Sequence, residues 1–235
     1  MPEVIFQGSE GRIEGRYHHN PDKQSPVAVI LHPHPLYGGT MNNKIVYRMY
    51  SSFARAGFSV LRFNFRGVGR SVGKFDDGIG EMTDAATALD WVQLQNPDAS
   101  CCWIAGFSFG AWISLQLLMR RPEIEGFIAV SPPANMYDFG FLSPCPASGL
   151  ITQGDKDDIV SEPAVAGLVD KLRAQKGTNV EYKVIPGADH YYRTQMDALT
   201  MTTEEFIHRK MEEIRNRPRL RPDRKRRQLP SELPI

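Results

Sequence analysis

The amino-acid sequence predicts an α/β fold, built on a mostly parallel, twisted β-sheet with helices on both faces. Three observations lead to this prediction. Short β-rich runs alternate with longer helical patterns, several of these runs are apolar throughout, and glycine-containing loops follow them. Continuously apolar strands are typical of parallel sheets, because such strands are buried on both faces. The 235 residues are an ordinary length for one domain of this class.

Eight strands are predicted from short apolar or β-branched runs. The first two flank a turn that contains Gly8, and the third has the wholly apolar sequence PVAVIL. The fourth has the sequence SVLRFNF, and the last shows partial alternation of apolar and polar residues. In chain order the strands are predicted at residues 4–6, 12–17, 26–31, 59–65, 102–105, 126–130, 149–152 and 180–184.

Five helices are predicted between and after these strands. Gly57 is expected to end the first, since glycine is favoured just beyond a helix C-terminus. Pro122 stops the third, and Pro163 stands near the start of the fourth, where proline is tolerated. The predicted helices are 44–56, 81–93, 111–120, 163–174 and 203–214. Only about 18 residues separate the sixth and seventh strands, which leaves little room for a lid domain.

The charge of the chain is divided unevenly. The net charge of +1 gives no general attraction to nucleic acid or membrane, but residues 215–235 alone carry eight Arg or Lys and two acids. We therefore predict an α/β domain over residues 1–215 and a basic Pro- and Arg-rich tail over 216–235. The tail is expected to be disordered and solvated. Binding of an acidic partner, such as RNA, an acidic protein or anionic lipid, is the alternative.

The cysteines and the hydropathy pattern indicate a compartment. Cys101, Cys102 and Cys145 are odd in number and irregular in spacing, so we expect buried core residues rather than a disulfide framework. No stretch approaches the roughly 18 apolar residues of a membrane span, and the first residues lack the features of a signal peptide. We expect a cytoplasmic protein with no membrane span.

A five-residue motif predicts a nucleophile. Gly106–Gly110 (GFSFG) fits G-x-S-x-G and stands between a predicted strand and a predicted helix, which is the context that this motif requires. Such a sharp turn exposes the Ser108 hydroxyl and places the Phe109 N–H at a helix N-terminus, where donors are available to an oxyanion. Taken alone, the motif also fits a glycine-rich connection with a solvated serine.

An acid and a base are expected after the serine, in the order Ser, Asp, His. His190 follows the last predicted strand and is the candidate base, which accepts the serine proton and returns it to the leaving group. The segment GDKDDIV follows the preceding strand and offers Asp155, Asp157 and Asp158 as acids. The residues by themselves leave the choice among these three open.

The loop after the third strand is expected to supply the second oxyanion donor. Pro33 and Pro35 lack an N–H, so His34 is the available backbone donor between them. A metal site on His32 and His34 is one alternative, but no further ligand cluster completes it, and a purely structural turn is another. We expect neither a metal nor a cofactor.

A second glycine-rich segment, FNFRGVGRS at 63–71, follows the fourth strand. It fits neither a dinucleotide-binding nor a phosphate-binding loop. We expect Arg66 to have a structural role, paired with Glu81 or Asp84 on the next helix.

Five segments resemble the α/β-hydrolase superfamily, and in particular its small bacterial members without a lid, near the dienelactone hydrolases and prolyl-oligopeptidase-like esterases. The segments are LHPHPLYGGTMNNK, FNFRGVGRS, GFSFG, GDKDDIV and PGADH, and the resemblance runs from about residue 4 to residue 214. It implies an α/β-hydrolase fold without a lid, with Ser108, Asp157 and His190 as the triad. The acid in such proteins is commonly the third residue after the glycine that ends the strand. Dienelactone hydrolases usually have Cys where this chain has Ser108.

The function predicted from these residues is that of a serine esterase or thioesterase for small acyl substrates, acting through an acyl-enzyme on Ser108. Phe107, Phe109, Tyr37 and Trp112 are candidates for an acyl pocket, or for part of the core. A peptidase or amidase of the same fold is the first alternative. A non-catalytic scaffold with a binding tail is the second. The oligomeric state is open, with a homodimer as one option.

Overall fold

The computed structural model describes residues 2–175 and 179–216, and its central feature is an eight-stranded sheet in the order β1-β2-β4-β3-β5-β6-β7-β8. The strands are β1 (Glu3–Gly8), β2 (Gly11–His18), β3 (Val27–Leu31), β4 (Ser59–Phe63), β5 (Cys102–Phe107), β6 (Ile124–Val130), β7 (Ser148–Gly154) and β8 (Val180–Ile185). The helices are α1 (Lys44–Arg55), α2 (Ile79–Gln95), α3 (Phe109–Leu118), α4 (Glu162–Arg173) and α5 (Met196–Arg215). The predicted fold class is confirmed.

The sheet is parallel from β4 through β8, and the β1–β2 hairpin extends it by antiparallel pairing of β2 with β4. Both β4 and β5 pair with β3, so the chain leaves β3 in one direction and later returns to its other side. Ligands of open α/β sheets bind at such a reversal of strand order, beyond the carboxyl ends of the strands. The loops that follow β3 and β5 are therefore the ones expected to form a site.

Two apolar layers cover the sheet. Side chains of α2, α3 and α4 pack on one face, and side chains of α1 and α5 pack on the other. The middle strands β3 and β4 are buried at every position, as the apolar sequence of β3 predicts; in β4 the burial includes Arg62. Between β6 and β7, residues 131–147 contain neither helix nor strand in the described structure, consistent with the absence of a lid.

The last helix begins earlier than predicted. Met196 rather than residue 203 starts α5, because the threonines of its first turns are accommodated in the helix. The hydroxyls of Thr200 and Thr203 donate to the carbonyl oxygens of Met196 and Leu199, at 2.8 Å each. This back-bonding satisfies polar groups that lower the intrinsic helix propensity of the segment.

Arg66 pairs with Asp84, one of its two predicted partners. Its Nε and Nη2 atoms donate to the two carboxylate oxygens at 3.1 and 2.9 Å, and both side chains are buried. Glu81 instead accepts hydrogen bonds from the backbone N–H groups of Asp76 and Gly78, at 3.0 and 2.8 Å, at the start of α2. The FNFRGVGRS segment is thus fixed to α2 by a buried ion pair.

Other predictions concern the chain as a whole. Cys101, Cys102 and Cys145 are buried and none forms a disulfide. Across residues 2–175 and 179–216, none of the helices has the length and apolar character needed to cross a membrane. The predicted basic tail lies outside the described residues from position 217 onward, so its domain boundary stays a prediction.

Candidate active site

Ser108 occupies a strained turn between β5 and α3. Its backbone has φ 53° and ψ −119°, a region that costs on the order of 1–3 kcal/mol for a residue with a side chain. The flanking glycines make the turn possible. A Cβ on Gly106 would lie 2.2 Å from the Gly110 carbonyl oxygen, and one on Gly110 would lie 2.5 Å from the His32 carbonyl oxygen. The sequence therefore sets a half-buried serine at the carboxyl edge of the sheet.

The turn leads directly into the N-terminus of α3. The Ser108 carbonyl oxygen accepts from the N–H groups of Ala111 and Trp112, at 2.8 and 3.2 Å, which starts the helix at the serine itself. Phe109 is the first helical residue, and N–H groups of a first turn have no partner within their own helix. The helix dipole adds positive potential at this point, which favours a developing negative charge.

Asp157 and His190 form a buried pair. His190 Nδ1 lies 2.8 Å from Asp157 Oδ2, and the two side chains are 4% and 0% exposed. Asp157 Oδ1 also accepts from the N–H groups of Ile159 and Val160, at 2.9 and 2.7 Å, and Gln153 Nε2 donates to Oδ2 at 3.0 Å. These contacts fix the carboxylate on the loop after β7 and the imidazole on the loop after β8.

The surroundings of Asp157 favour its ionised form. Burial alone would raise the pKa of Asp157, but the hydrogen bonds from His190, Val160 and Ile159 outweigh this and hold the pKa below its ordinary value. The carboxylate can only accept, so His190 Nδ1 carries a proton; in the neutral imidazole, Nε2 is then the nitrogen with the lone pair. An imidazole in this tautomer can act as a general base through Nε2.

The neighbouring acids have other partners. Asp155 accepts from the N–H of Gly187 at 2.6 Å, which links the loops that follow β7 and β8. Asp189 pairs with Arg193 at 2.8 Å, and Asp158 is exposed. Of the three acids that the sequence offered, the structure brings Asp157 to His190.

Ser108 and His190 line one cavity of about 500 Å³ at the carboxyl edge of the sheet. The Phe107 ring lies beneath the site, with its centroid 5.0 Å from that of the His190 ring. His34 lines the same cavity, and its ring packs against those of Tyr37, Phe75 and Phe109 at 4.7 to 4.9 Å. The structure thus brings the predicted nucleophile, base and oxyanion loop together.

His34 begins a tight turn. Its carbonyl oxygen accepts from the N–H groups of Tyr37 and Gly39, at 3.1 and 3.0 Å, around a short 3-10 turn at Pro35–Tyr37. A Cβ on Gly39 would lie 2.0 Å from the Pro33 carbonyl oxygen, so the loop closes tightly on itself. Burial lowers the pKa of His34, although the charge of Asp77 opposes this effect.

His32 holds this loop from below, a role that the sequence analysis did not assign. The ring is buried, its Nδ1 lies 2.6 Å from the Pro33 carbonyl oxygen, and the Phe65 N–H donates to its Nε2 at 3.0 Å. The proton therefore resides on Nδ1, and both ring nitrogens have protein partners. Burial lowers the pKa of His32 to about 4, so the ring is neutral at pH 7. The alternating His and Pro residues of HPHP are the sequence signal of this arrangement.

The walls of the cavity agree only in part with the predicted acyl pocket. Phe109 and Tyr37 line it, whereas Phe107 is fully buried in the core and Trp112 stacks on Tyr137 at 4.2 Å. Sequence reasoning missed several lining residues, because they come from loops without a motif. These are Pro133, Met136 and Tyr137 after β6, Ile159 after β7 and Tyr191 after β8.

Comparisons with known proteins agree with this architecture. The sequence profile described as X-Pro dipeptidyl-peptidase (S15 family) matches residues 17–143. An uncharacterized protein of Rickettsia prowazekii (strain Madrid E) is 52% identical over 211 residues, which cover 88% of this chain and 89% of that protein.

Two solved structures share the fold and much of the sequence. The crystal structure of ATU1826, a protein of unknown function from Agrobacterium tumefaciens, has a TM-score of 0.88 and 55% identity, covering 90% of this chain and 97% of that one. XC6422 from Xanthomonas campestris, a member of the α/β serine hydrolases without a lid, has a TM-score of 0.79 and 32% identity, covering 88% and 94%. The chain therefore belongs to the S15 peptidase family within the α/β-hydrolase superfamily.

Proposed function

We propose that this chain is a serine carboxylesterase or thioesterase for small acyl substrates, with Ser108 as nucleophile, His190 as base and Asp157 as the acid that orients it. One observation carries the proposal: a buried, hydrogen-bonded Asp157–His190 pair shares a cavity with a serine on a strained strand-to-helix turn. Strain of this kind persists where the surrounding structure imposes it, and it is concentrated at functional sites.

The reaction begins with attack of Ser108 Oγ on the substrate carbonyl carbon, while its proton passes to His190 Nε2. The carbonyl oxygen becomes an oxyanion, which the backbone N–H groups of Phe109 and His34 stabilise. The bond to the alcohol or thiol then breaks, and the leaving atom takes the proton from Nε2. A water molecule, deprotonated by the same nitrogen, attacks the acyl-enzyme; the bond between Ser108 Oγ and the acyl carbon breaks, Nε2 returns the proton to Ser108 Oγ, and the carboxylic acid is released.

Asp157 supports each of these proton transfers. Its carboxylate is held ionised by hydrogen bonds, so it stabilises the imidazolium that forms when Nε2 accepts the proton. It also fixes the ring plane through Nδ1, which keeps Nε2 directed into the cavity. His32 acts as a positioning residue, because its contacts to Pro33 and Phe65 hold the loop that presents the His34 N–H.

The cavity favours small esters over peptides with a free N-terminus. Its volume of about 500 Å³ lies within the range of sites for small molecules. An exopeptidase that recognises an N-terminal ammonium group needs an acidic side chain within reach of it. Within the described part of the chain, the residues lining this cavity include neither Asp nor Glu.

Hydrolysis of p-nitrophenyl esters from acetate to octanoate tests the proposal. We expect turnover that falls with acyl length and disappears in Ser108→Ala. Ser100→Ala is the matched control, since this exposed serine precedes β5 at the opposite edge of the sheet, and its activity should equal that of the wild type. A fluorophosphonate probe should label the wild type and the control but not Ser108→Ala.

A dipeptidyl-peptidase is the second candidate, and the match to the S15 family profile favours it. Release of p-nitroaniline from Xaa-Pro-p-nitroanilides, at a kcat/KM above that for p-nitrophenyl acetate, would overturn the esterase assignment. Absence of turnover with every ester and anilide, despite labelling of Ser108, would leave an acyl hydrolase of narrow specificity. Absence of labelling would remove Ser108 as nucleophile.

A further inference from the structure

A second groove adjoins the catalytic cavity. It has a volume of about 1110 Å³ and shares two lining residues, Asn43 and Tyr191, with the cavity that holds Ser108 and His190. The other lining residues come from the start of α1 and from the loop before α5: Asn42, Lys44, Ile45, Tyr47, Arg48, Arg193 and Met196. The groove and the catalytic cavity are therefore neighbours that meet at Asn43 and Tyr191.

The groove has basic walls. Lys44 and Arg48 lie one helical turn apart on α1, and Arg193, from the loop before α5, lines the same groove. The Arg193 guanidinium lies 5.0 Å from the centroid of the Tyr191 ring. Two carboxylates stand at the margin: Asp189 pairs with Arg193 at 2.8 Å, and Asp197, which is 92% exposed, lies 3.8 Å from Arg48. Neither carboxylate lines the groove, and three cations do.

A fourth cation lies behind the wall. Arg62 is 7% exposed, and its Nη1 donates to the Met41 carbonyl oxygen and, at 2.9 Å, to Asn42 Oδ1. Its guanidinium also lies 5.3 Å from the centroid of the Tyr47 ring, and Asn42 and Tyr47 both line the groove.

Arg62 has no acidic partner among residues 2–175 and 179–216, and its Nε is buried without a hydrogen bond. Buried charges in proteins are ordinarily paired. A buried cation without a carboxylate partner among the described residues therefore adds positive potential behind this wall. Three cations therefore line the groove, and a fourth, Arg62, is buried behind its wall.

The groove begins on the side of the site where a leaving group must lie. His190 gives its proton to the leaving atom, so that atom passes beside the His190 ring. The Tyr191 ring meets the His190 ring edge-on, with centroids 5.3 Å apart, and it then forms a wall of the groove. The apolar residues Met136 and Ile159 line the catalytic cavity and not the groove, and they are available to the acyl group.

We propose that the alcohol or thiol part of the substrate carries an anionic group, a carboxylate or a phosphate, that binds between Lys44, Arg48 and Arg193. This inference rests on the proposed acyl-hydrolase function and names the substrate class for it. Charge-assisted contacts to an anion are stronger than neutral ones, so the groove selects substrates with an anionic leaving group.

Matched substrate pairs test whether the protein prefers an anionic substrate and whether the anionic group belongs to the leaving group or to the acyl group. The first pair places the charge on the leaving group: 4-acetoxybenzoate and its neutral methyl ester. The second places it on the acyl group: mono-(4-nitrophenyl) glutarate and 4-nitrophenyl valerate. We expect the double variant Lys44→Gln, Arg48→Gln to lower the anionic-to-neutral ratio of kcat/KM about tenfold for the first pair. Lys183→Gln, on the exposed edge strand β8, is the control and should keep both ratios.

Two results would overturn the inference while esterase activity persists. One is an unchanged ratio for both pairs, and the other is a loss confined to the glutarate pair, which would place the anion on the acyl side. Binding of 4-hydroxybenzoate and of phenyl phosphate, measured by calorimetry, requires no turnover. About tenfold weaker binding of either compound to the double variant supports the groove even if the esterase proposal fails, and the tighter ligand identifies the preferred anion. Equal binding to wild type and variant rejects the groove.

Discussion

Replacement of His32 by Gln tests how the loop that carries His34 is held. In the folded protein, burial lowers the pKa of His32 to about 4, whereas an unfolded chain has a histidine pKa near 6.5. The unfolded state therefore binds more protons between these two values, and stability falls as the pH drops through this window. At pH 5 this linkage lowers the free energy of unfolding of the wild type by about 2 kcal/mol relative to pH 7.5. The Gln side chain does not titrate, and its Oε1 can still accept from the Phe65 N–H.

The expected result is a pH-dependent difference between the two proteins. At pH 7.5, His32→Gln should be less stable than the wild type by about 1–3 kcal/mol, since it loses the contact to the Pro33 carbonyl oxygen. At pH 5.0 this deficit should shrink by about 2 kcal/mol. Urea unfolding at both pH values, with the exposed His208→Gln as control, measures the difference. A deficit of the same size at both pH values would refute the reasoning.

Three further predictions concern the site and its support. Asp157→Asn should lower kcat on p-nitrophenyl acetate by about 10⁴-fold, because the amide does not hold the imidazole in its required tautomer; near-normal kcat would remove Asp157 from the triad. Gly110→Ala should abolish soluble expression, since its Cβ would lie 2.5 Å from two carbonyl oxygens. Gly167 lies in α4 with open space around it, so Gly167→Ala should raise the free energy of unfolding, measured in urea, by about 0.5–1 kcal/mol. Equal effects of the two glycine changes would contradict the packing argument. Asp84→Asn should lower the free energy of unfolding by about 3–5 kcal/mol, because it leaves the buried Arg66 charge without its carboxylate partner. A decrease below about 1 kcal/mol in urea unfolding would contradict this.

Local patterns in the sequence predicted every strand and helix of the described chain, although not every boundary. The apolar run at residues 27–31 predicts a buried strand because its shortness, its continuous apolarity and its β-branched residues are all local properties of the sequence. The start of α5 was missed because Thr200, which lies in the missed segment, is a poor helix former in isolation, and its hydroxyl is satisfied only by the Met196 carbonyl oxygen of the folded helix. Only contacts within the folded helix, and burial against the sheet, make this position favourable.

The candidate site was likewise predicted in part by local sequence patterns and in part became clear only in the folded structure. The G-x-S-x-G pattern predicted Ser108 as the nucleophile, because a strained turn of this kind requires glycines at fixed spacing. From the residues alone Asp155, Asp157 and Asp158 are equivalent candidates; the family resemblance implied Asp157, and in the structure it is Asp157 that contacts His190. That contact depends on the order of β7 and β8 in the sheet and on the path of two loops.

The sequence by itself determined the secondary structure, the parallel sheet and the residue types of the site, because periodicity, turn chemistry and motif spacing act over a few neighbouring residues. Only the tertiary structure decided that Asp157 reaches His190, that His32 is a buried support and that Arg62 lies behind a basic groove. These properties depend on burial and on distances between residues far apart in the chain. Both are fixed when the helices pack on the sheet, and no local pattern encodes them.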